Sequence, residues 1–118
     1  MSERGLSTKK WGPSAWVFLH SVAQRYPRNP TEEDKNNYRN FYENIENMLP
    51  CGKCRESYTK YIQILPIRFF LSRREDLILW LYTIHNFVNF KLIGQGYDIQ
   101  NIPSLAEVYE HYENFAGS

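Results

Sequence analysis

The 118-residue chain has two cysteines, and both fall in the segment Cys51-Gly52-Lys53-Cys54. A Cys-x-x-Cys pair can cycle between dithiol and disulfide, because the spacing brings both sulfurs onto one helical turn. Pro50 stands directly before the pair, and a short helix is expected to start at Cys51 and run to about residue 62. Its N-terminus supplies partial positive charge that favours thiolate, and Lys53 adds charge of the same sign. A secreted disulfide scaffold would need more cysteines, spread along the chain. A structural zinc site would need a second close pair of ligands. His85 and His111 formally complete a Cys2His2 set, but His85 follows Cys54 by 31 residues and His111 follows His85 by 26, which is no zinc-finger spacing. No metal site is expected. On the motif alone, redox cycling, half of a zinc site and a pair of unremarkable buried thiols all stay open. A thioredoxin-like site would require a βαβ context, which is not seen here.

Two further groups could do polar work. His85, Asn86 and Asn89 share one side of an otherwise apolar helix. Asparagine competes for backbone hydrogen bonds and is a poor mid-helix residue, so two of them beside a histidine suggest ligand binding. The plain alternative is a satisfied polar cluster that fixes helix packing. Trp16 and His20, four apart, could flank a flat ring, or they are a buried tryptophan with a histidine at the core margin.

Helices must position these groups. Pro13 suits the first turn of a helix that carries Trp16, Leu19, His20 and Ala23 on one stripe and ends at Tyr26-Pro27. Thr31 is a good N-cap for a second helix, with Glu32, Glu33 and Asp34 in its first turn and Tyr38, Phe41, Tyr42, Ile45 and Leu49 on its stripe. After the Cys51 helix, residues 65–71 read as a packed connector. Ser72 and Glu75 fit a capping box for a fourth helix with Leu77, Trp80, Leu81, Ile84, Phe87, Val88 and Leu92 on its apolar side, stopped by Gly94 and Gly96. Ser104 and Glu107 fit another box for a short last helix from Leu105 to about Phe115. No segment alternates with a period of two, so an all-α fold is expected: a bundle of four main helices plus one short one.

Composition bounds the partners. Lysine plus arginine is 14 and aspartate plus glutamate 13, a net charge of +1, which argues against nucleic acid or a polybasic membrane surface as partner. No apolar run is long enough to span a membrane, and Met1 to Lys10 lacks the apolar stretch of a signal peptide. Aromatic residues make 16% of the chain, enough to build a small core and to wall a flat ligand.

The ordered set Trp11-Gly12-Pro13-x-x-Trp16-x-x-Leu19-His20, Tyr26-Pro27, Pro50-Cys51-x-x-Cys54 and Trp80-Leu81-x-x-x-His85-Asn86-x-Val88-Asn89-x-Lys91-Leu92 resembles the Erv/ALR family of FAD-linked sulfhydryl oxidases. The match runs from about residue 10 to 112, and its order makes it specific where each motif alone is weak. The resemblance implies a four-helix bundle plus a short helix cradling FAD, with residues 1–9 as a tail and 10–116 as one domain. It implies transfer of two electrons from protein thiols through flavin to molecular oxygen, giving hydrogen peroxide and a disulfide. By position, Cys51 would exchange with substrate and Cys54 would lie against the flavin. Lys10, Trp11, Gly12, Trp16 and His20 would line the flavin site. His85, Asn86, Val88, Asn89, Lys91 and Leu92 match the motif that holds adenine, ribose and diphosphate. Tyr109, Tyr112 or Tyr97 would cover the adenine.

Cellular members carry extra structural cysteines and often a second, shuttle pair, and this chain has neither. In that economy it is similar to the minimal oxidases of large DNA viruses. The resemblance thus implies a homodimer acting directly on thiol-bearing client proteins or on a separate disulfide carrier. The place of action would be host cytoplasm or virion if viral, otherwise cytosol or mitochondrial intermembrane space. The rival readings are a flavin-free dithiol/disulfide carrier and a helical interaction module that shares zinc with a partner.

Overall fold

A computed structural model describes residues 5–115, so residues 1–4 of the expected tail and residue 116 of the expected domain lie outside it. Five α-helices follow in order: α1 Thr8–Gln24, α2 Glu32–Asn44, α3 Gly52–Ile64, α4 Arg74–Gly94 and α5 Leu105–Glu113. Short 3-10 turns at Ile45–Asn47 and Ile67–Phe70 join α2 to α3 and α3 to α4. No strand occurs among the described residues, as the missing two-residue alternation predicted.

The centre of the bundle is α4, which packs against α1, α3 and α5. Its Leu77, Trp80, Leu81 and Ile84 are almost wholly buried. Full burial of such an aliphatic side chain contributes about 1.5–3 kcal/mol. Around them sit Tyr26, Tyr42, Tyr58 and Ile67, so aromatic side chains fill much of the core. Each buried polar tip is spent on a carbonyl. Tyr26 Oη donates to Leu71 O at 2.6 Å, Tyr42 Oη to Leu19 O at 2.8 Å, and Trp80 Nε1 to Leu65 O at 2.8 Å. Tyr58 Oη donates to the carbonyl of Tyr42. These bonds tie the ends of α1, α3 and the connector to the core, satisfying groups that are costly to bury alone.

The expected N-cap Thr31 closes a capping box with Asp34, and the box expected at Ser104 with Glu107 forms. The one expected at Ser72 does not. Residue Arg73 is the N-cap of α4 and has no side-chain cap bond. The carboxylate of Glu75 lies 3.5 Å from Arg28, and the Arg73 guanidinium turns to Asp76 at 3.2 Å, so the groups that would close the box are engaged elsewhere. Helix α1 also starts earlier than expected, which places Pro13 inside it and leaves the Lys9 carbonyl without its usual donor. Two contacts offset this: Ser7 O accepts from the amides of Lys10 and Trp11, and Trp11 Nε1 donates to Leu6 O at 2.9 Å. The end of α4 is a Schellman motif. Tyr97 N donates to Leu92 O and Gly96 N to Ile93 O, both at 3.0 Å, with Gly96 at φ 92°, where a Cβ would be strained.

Among the described residues, no helix is long and apolar enough to cross a membrane, and no group of three or more His, Cys, Asp or Glu is placed to hold a metal.

Candidate functional site

Cys51 is the N-cap of α3, and its Sγ accepts from the backbone N–H of Cys54 at 3.3 Å. Both thiols are free and half-buried. They titrate in opposite directions. Burial alone would raise the Cys51 thiol, but the Cys54 thiol, the amides of Cys54 and Lys53 and the charge of Arg55 outweigh it and hold Cys51 below the usual cysteine value. Burial, followed by the hydrogen bond and charge of Cys51, pushes Cys54 up to about 11, against the pull of Lys91. The first proton therefore leaves Cys51, which is the readier of the two to form the reactive thiolate, while Cys54 holds its proton to higher pH.

The N-terminal segment lies across this motif. Leu6 N donates to Pro50 O at 2.6 Å, and a Cβ built on Gly5 would stand 2.8 Å from the Cys51 Cα. Only glycine allows that approach. On the other side, Arg55 Nη1 donates to Leu49 O at 2.6 Å and fixes the turn that enters the motif.

The second half of the site lies between α1, α4 and α5. His20 Nε2 and His85 Nδ1 are 3.0 Å apart, one donating and the other accepting. His85 stacks on Trp16 with centroids 3.8 Å apart and planes 6° from parallel, and His20 stacks on Tyr112 at 5.1 Å and 14°. Burial, then the charges of His85 and His111, lowers His20 to about 3; burial lowers His85 to about 4. Both rings are thus neutral donor-acceptors near pH 7. Beside them opens a cavity of about 400 Å³ lined by His20, Tyr82, His85, Asn86 and Asn89, and closed by Pro103 just before α5 and by Glu107, Val108, His111 and Tyr112 on it. Asn89 Nδ2 donates to Asn86 Oδ1 at 3.2 Å, which leaves the outer donors and acceptor of this amide pair for a ligand.

Several residues singled out from the sequence stand elsewhere. Lys10 is exposed on the first turn of α1, with Trp11 and Gly12 half-buried after it, and none of the three lines the cavity. Val88 and Leu92 lie on α4 away from it, and Tyr97 is 51% exposed beyond the end of that helix. Lys91 points to the cysteine side, where its Nζ donates to Ser57 Oγ. Of the two C-terminal tyrosines, Tyr112 reaches the cavity, whereas Tyr109 packs on the core and its carbonyl accepts from the buried Gln24. Sequence reasoning missed Tyr82 and did not assign Glu107, read as a cap, or His111, weighed only as a zinc ligand, to this cavity. Their signal was positional: Tyr82 precedes His85 by three residues, and Glu107 and His111 share a face of α5 with Val108 and Tyr112.

The Erv1/Alr family model matches residues 13–110. The chain belongs to the Erv1/Alr family. It is similar to a protein of Acanthamoeba polyphaga mimivirus named "Probable FAD-linked sulfhydryl oxidase", with 45% identity over 86 residues that make 72% of this chain and 60% of that one. It is 36% identical to the mitochondrial FAD-linked sulfhydryl oxidase of Saccharomyces cerevisiae over 74% of its own length and 45% of the yeast protein's. The chain thus spans about half the length of these two relatives. The FAD-binding domain of yeast Erv1 superposes with a TM-score of 0.80 at 28% identity, covering 92% of this chain and 96% of that one. The bundle of four main helices plus a short one is therefore the Erv1/Alr fold, as the motif order implied.

Proposed function

We propose that the protein is a FAD-dependent thiol oxidase that makes disulfides in client proteins. The observation that carries this reading is the double use of α4. His85, Asn86 and Asn89 wall the cavity, and Lys91, two residues further on, stands at Cys54. One rigid helix so joins a dithiol to a binding site for a flat heteroaromatic group. The names of the viral and yeast relatives support the same reaction.

The residues present fit such a group. His20, His85 and Tyr112 line the cavity with planar rings, Trp16 stacks against His85, the asparagine amides supply both donors and acceptors, and the cavity volume is that of a small-molecule site. Trp16, His20, His85, Asn86, Asn89 and Tyr112 would hold FAD. When bound, FAD would supply a two-electron acceptor for the dithiol and a route from it to molecular oxygen, with hydrogen peroxide as the product.

The chain's own chemistry is thiol-disulfide exchange. With Cys51 and Cys54 joined, a client thiolate attacks Cys51 Sγ, the Cys51–Cys54 bond breaks, and Cys54 leaves as thiolate. The client's second thiolate then attacks the client sulfur of this mixed disulfide. That step forms the client disulfide and releases Cys51 as the thiolate that its N-cap position stabilises. The two electrons taken from the client now reside on the Cys51–Cys54 dithiol.

Clients are thiol-bearing proteins or a separate carrier with its own cysteine pair, and oxygen is the acceptor. The working unit is a homodimer. Phe18 of α1 and Phe41 of α2, 60% and 37% exposed, meet edge to face at 6.2 Å and present an apolar patch suited to a second copy. The place of action is host cytoplasm or virion if the chain is viral, like the mimivirus relative, and otherwise cytosol or the mitochondrial intermembrane space, the yeast relative being named mitochondrial. The test is the visible spectrum of the protein as isolated, together with oxygen uptake on addition of dithiothreitol. Flavin bands and uptake are expected; a colourless protein that takes up no flavin overturns the reading.

A further inference from the structure

Cys54, Ser57 and Tyr61 fall at i, i+3 and i+7 on α3 and so face one way, toward α4. Across from them, Tyr61 meets the ring of Phe87 at 5.4 Å, and Lys91 Nζ donates to Ser57 Oγ. The Ser57 hydroxyl has one donor and acceptor capacity to spare. Lys91 uses the acceptor, and this contact fixes its ammonium at the Cys54 end of α3. A lysine on a four-carbon stem otherwise extends its head into bulk water.

We propose that Ser57 is a positioning residue that holds the Lys91 ammonium beside Cys54, and this rests on the thiol chemistry proposed above. The groups that act on the Cys54 sulfur are Cys51 from the start of its own helix and Lys91 from α4. When Cys51 is tied to a client in a mixed disulfide, its hydrogen bond and its negative charge are gone. The Cys54 thiolate then faces burial on one side and Lys91 on the other. In that state Lys91 is the group that makes Cys54 a competent leaving group and reductant, and its placement depends on Ser57.

A Cys51→Ser background isolates Cys54 and mimics the loss of the neighbouring thiolate. The rate of iodoacetamide alkylation against pH then reports the ionisation midpoint of Cys54. Ser57→Ala is expected to raise that midpoint and slow alkylation at pH 8 by about threefold or more, since tenfold corresponds to one pH unit. Ser57→Thr, which keeps the hydroxyl, restores the profile. In a Lys91→Met background, where the midpoint is already raised, Ser57→Ala has no further effect. An unchanged midpoint in Ser57→Ala, or a rise that persists without Lys91, overturns the proposal. Visible spectra of the same samples report flavin separately, so a failure of the oxidase reading and a failure of this one are distinguishable.

Discussion

The buried pair His20 and His85 makes the fold sensitive to mild acid, and the size of the effect follows from its surroundings. His20 is 4% exposed, and burial is the leading cause that lowers both rings, to about 3 and about 4. An unfolded histidine titrates near 6.5. Above that value neither state binds a proton at these rings, so stability does not change with pH on their account. Below it the unfolded chain gains protons that the folded chain refuses, and stability falls by about 1.4 kcal/mol per pH unit per ring. The fall continues until the folded rings themselves titrate. At pH 5 each ring costs about 2 kcal/mol, so the pair costs about 4 kcal/mol, a large part of the 5–15 kcal/mol typical of a domain. Urea unfolding followed by circular dichroism at pH 7.5 and 5 measures this cost. The wild-type midpoint should drop steeply, His85→Gln should show about half the drop, and the His20→Gln/His85→Gln variant should be nearly flat at unchanged m. A double variant that loses as much stability as the wild type would refute the reasoning.

Three other outcomes follow from the geometry. At pH 7 Cys51 should be alkylated faster than Cys54, read by mass spectrometry of early products; equal rates would contradict the opposite shifts of the two thiols. Gly5→Ala should lift the N-terminal segment from Cys51, with faster hydrogen exchange at the Leu6 amide and a cost of about 1 kcal/mol from the lost bond to Pro50 O; retained protection would refute the close approach. Tyr58→Phe should lower stability by about 1–2 kcal/mol in chemical denaturation without altering thiol reactivity, because it strips the donor from a buried carbonyl of Tyr42; a neutral effect would mean that the carbonyl finds another partner.

The fold was legible where local chemistry decides it. The apolar stripe of α4, the N-cap Thr31 and the capping box at Ser104 are set by side chains within one or two turns, so local sequence alone reads them. The start of α4 escaped because its decision is not local. Glu75 answers Arg28 from the loop after α1, and Arg74 Nε donates to the carbonyl of Tyr26, 48 residues away in sequence. Likewise, nothing near Pro13 in the sequence shows that Leu6 O and Ser7 O hold the preceding turn of α1 helical.

The same division governs the site. The Cys51–Cys54 pair and the His85, Asn86, Asn89 face are each local and were read directly. What could not be read is which side of α4 serves which half. Lys91 follows Asn89 by two residues, and two positions on a helix turn about 200° between them, so these side chains must point nearly opposite ways. A motif that runs on through His85, Asn89 and Lys91 thus looks like one binding surface in sequence, yet on a single helix it is two. The first half faces α1 and α5 and walls the cavity; the second faces α3 and acts on Cys54. In the reaction proposed above, which takes electrons from a thiol and delivers them to a flat acceptor, that split is what the motif would contribute. It sets the neutral, aromatic environment of the cavity apart from the charged environment of the sulfur, and it lets one rigid element fix the position of both.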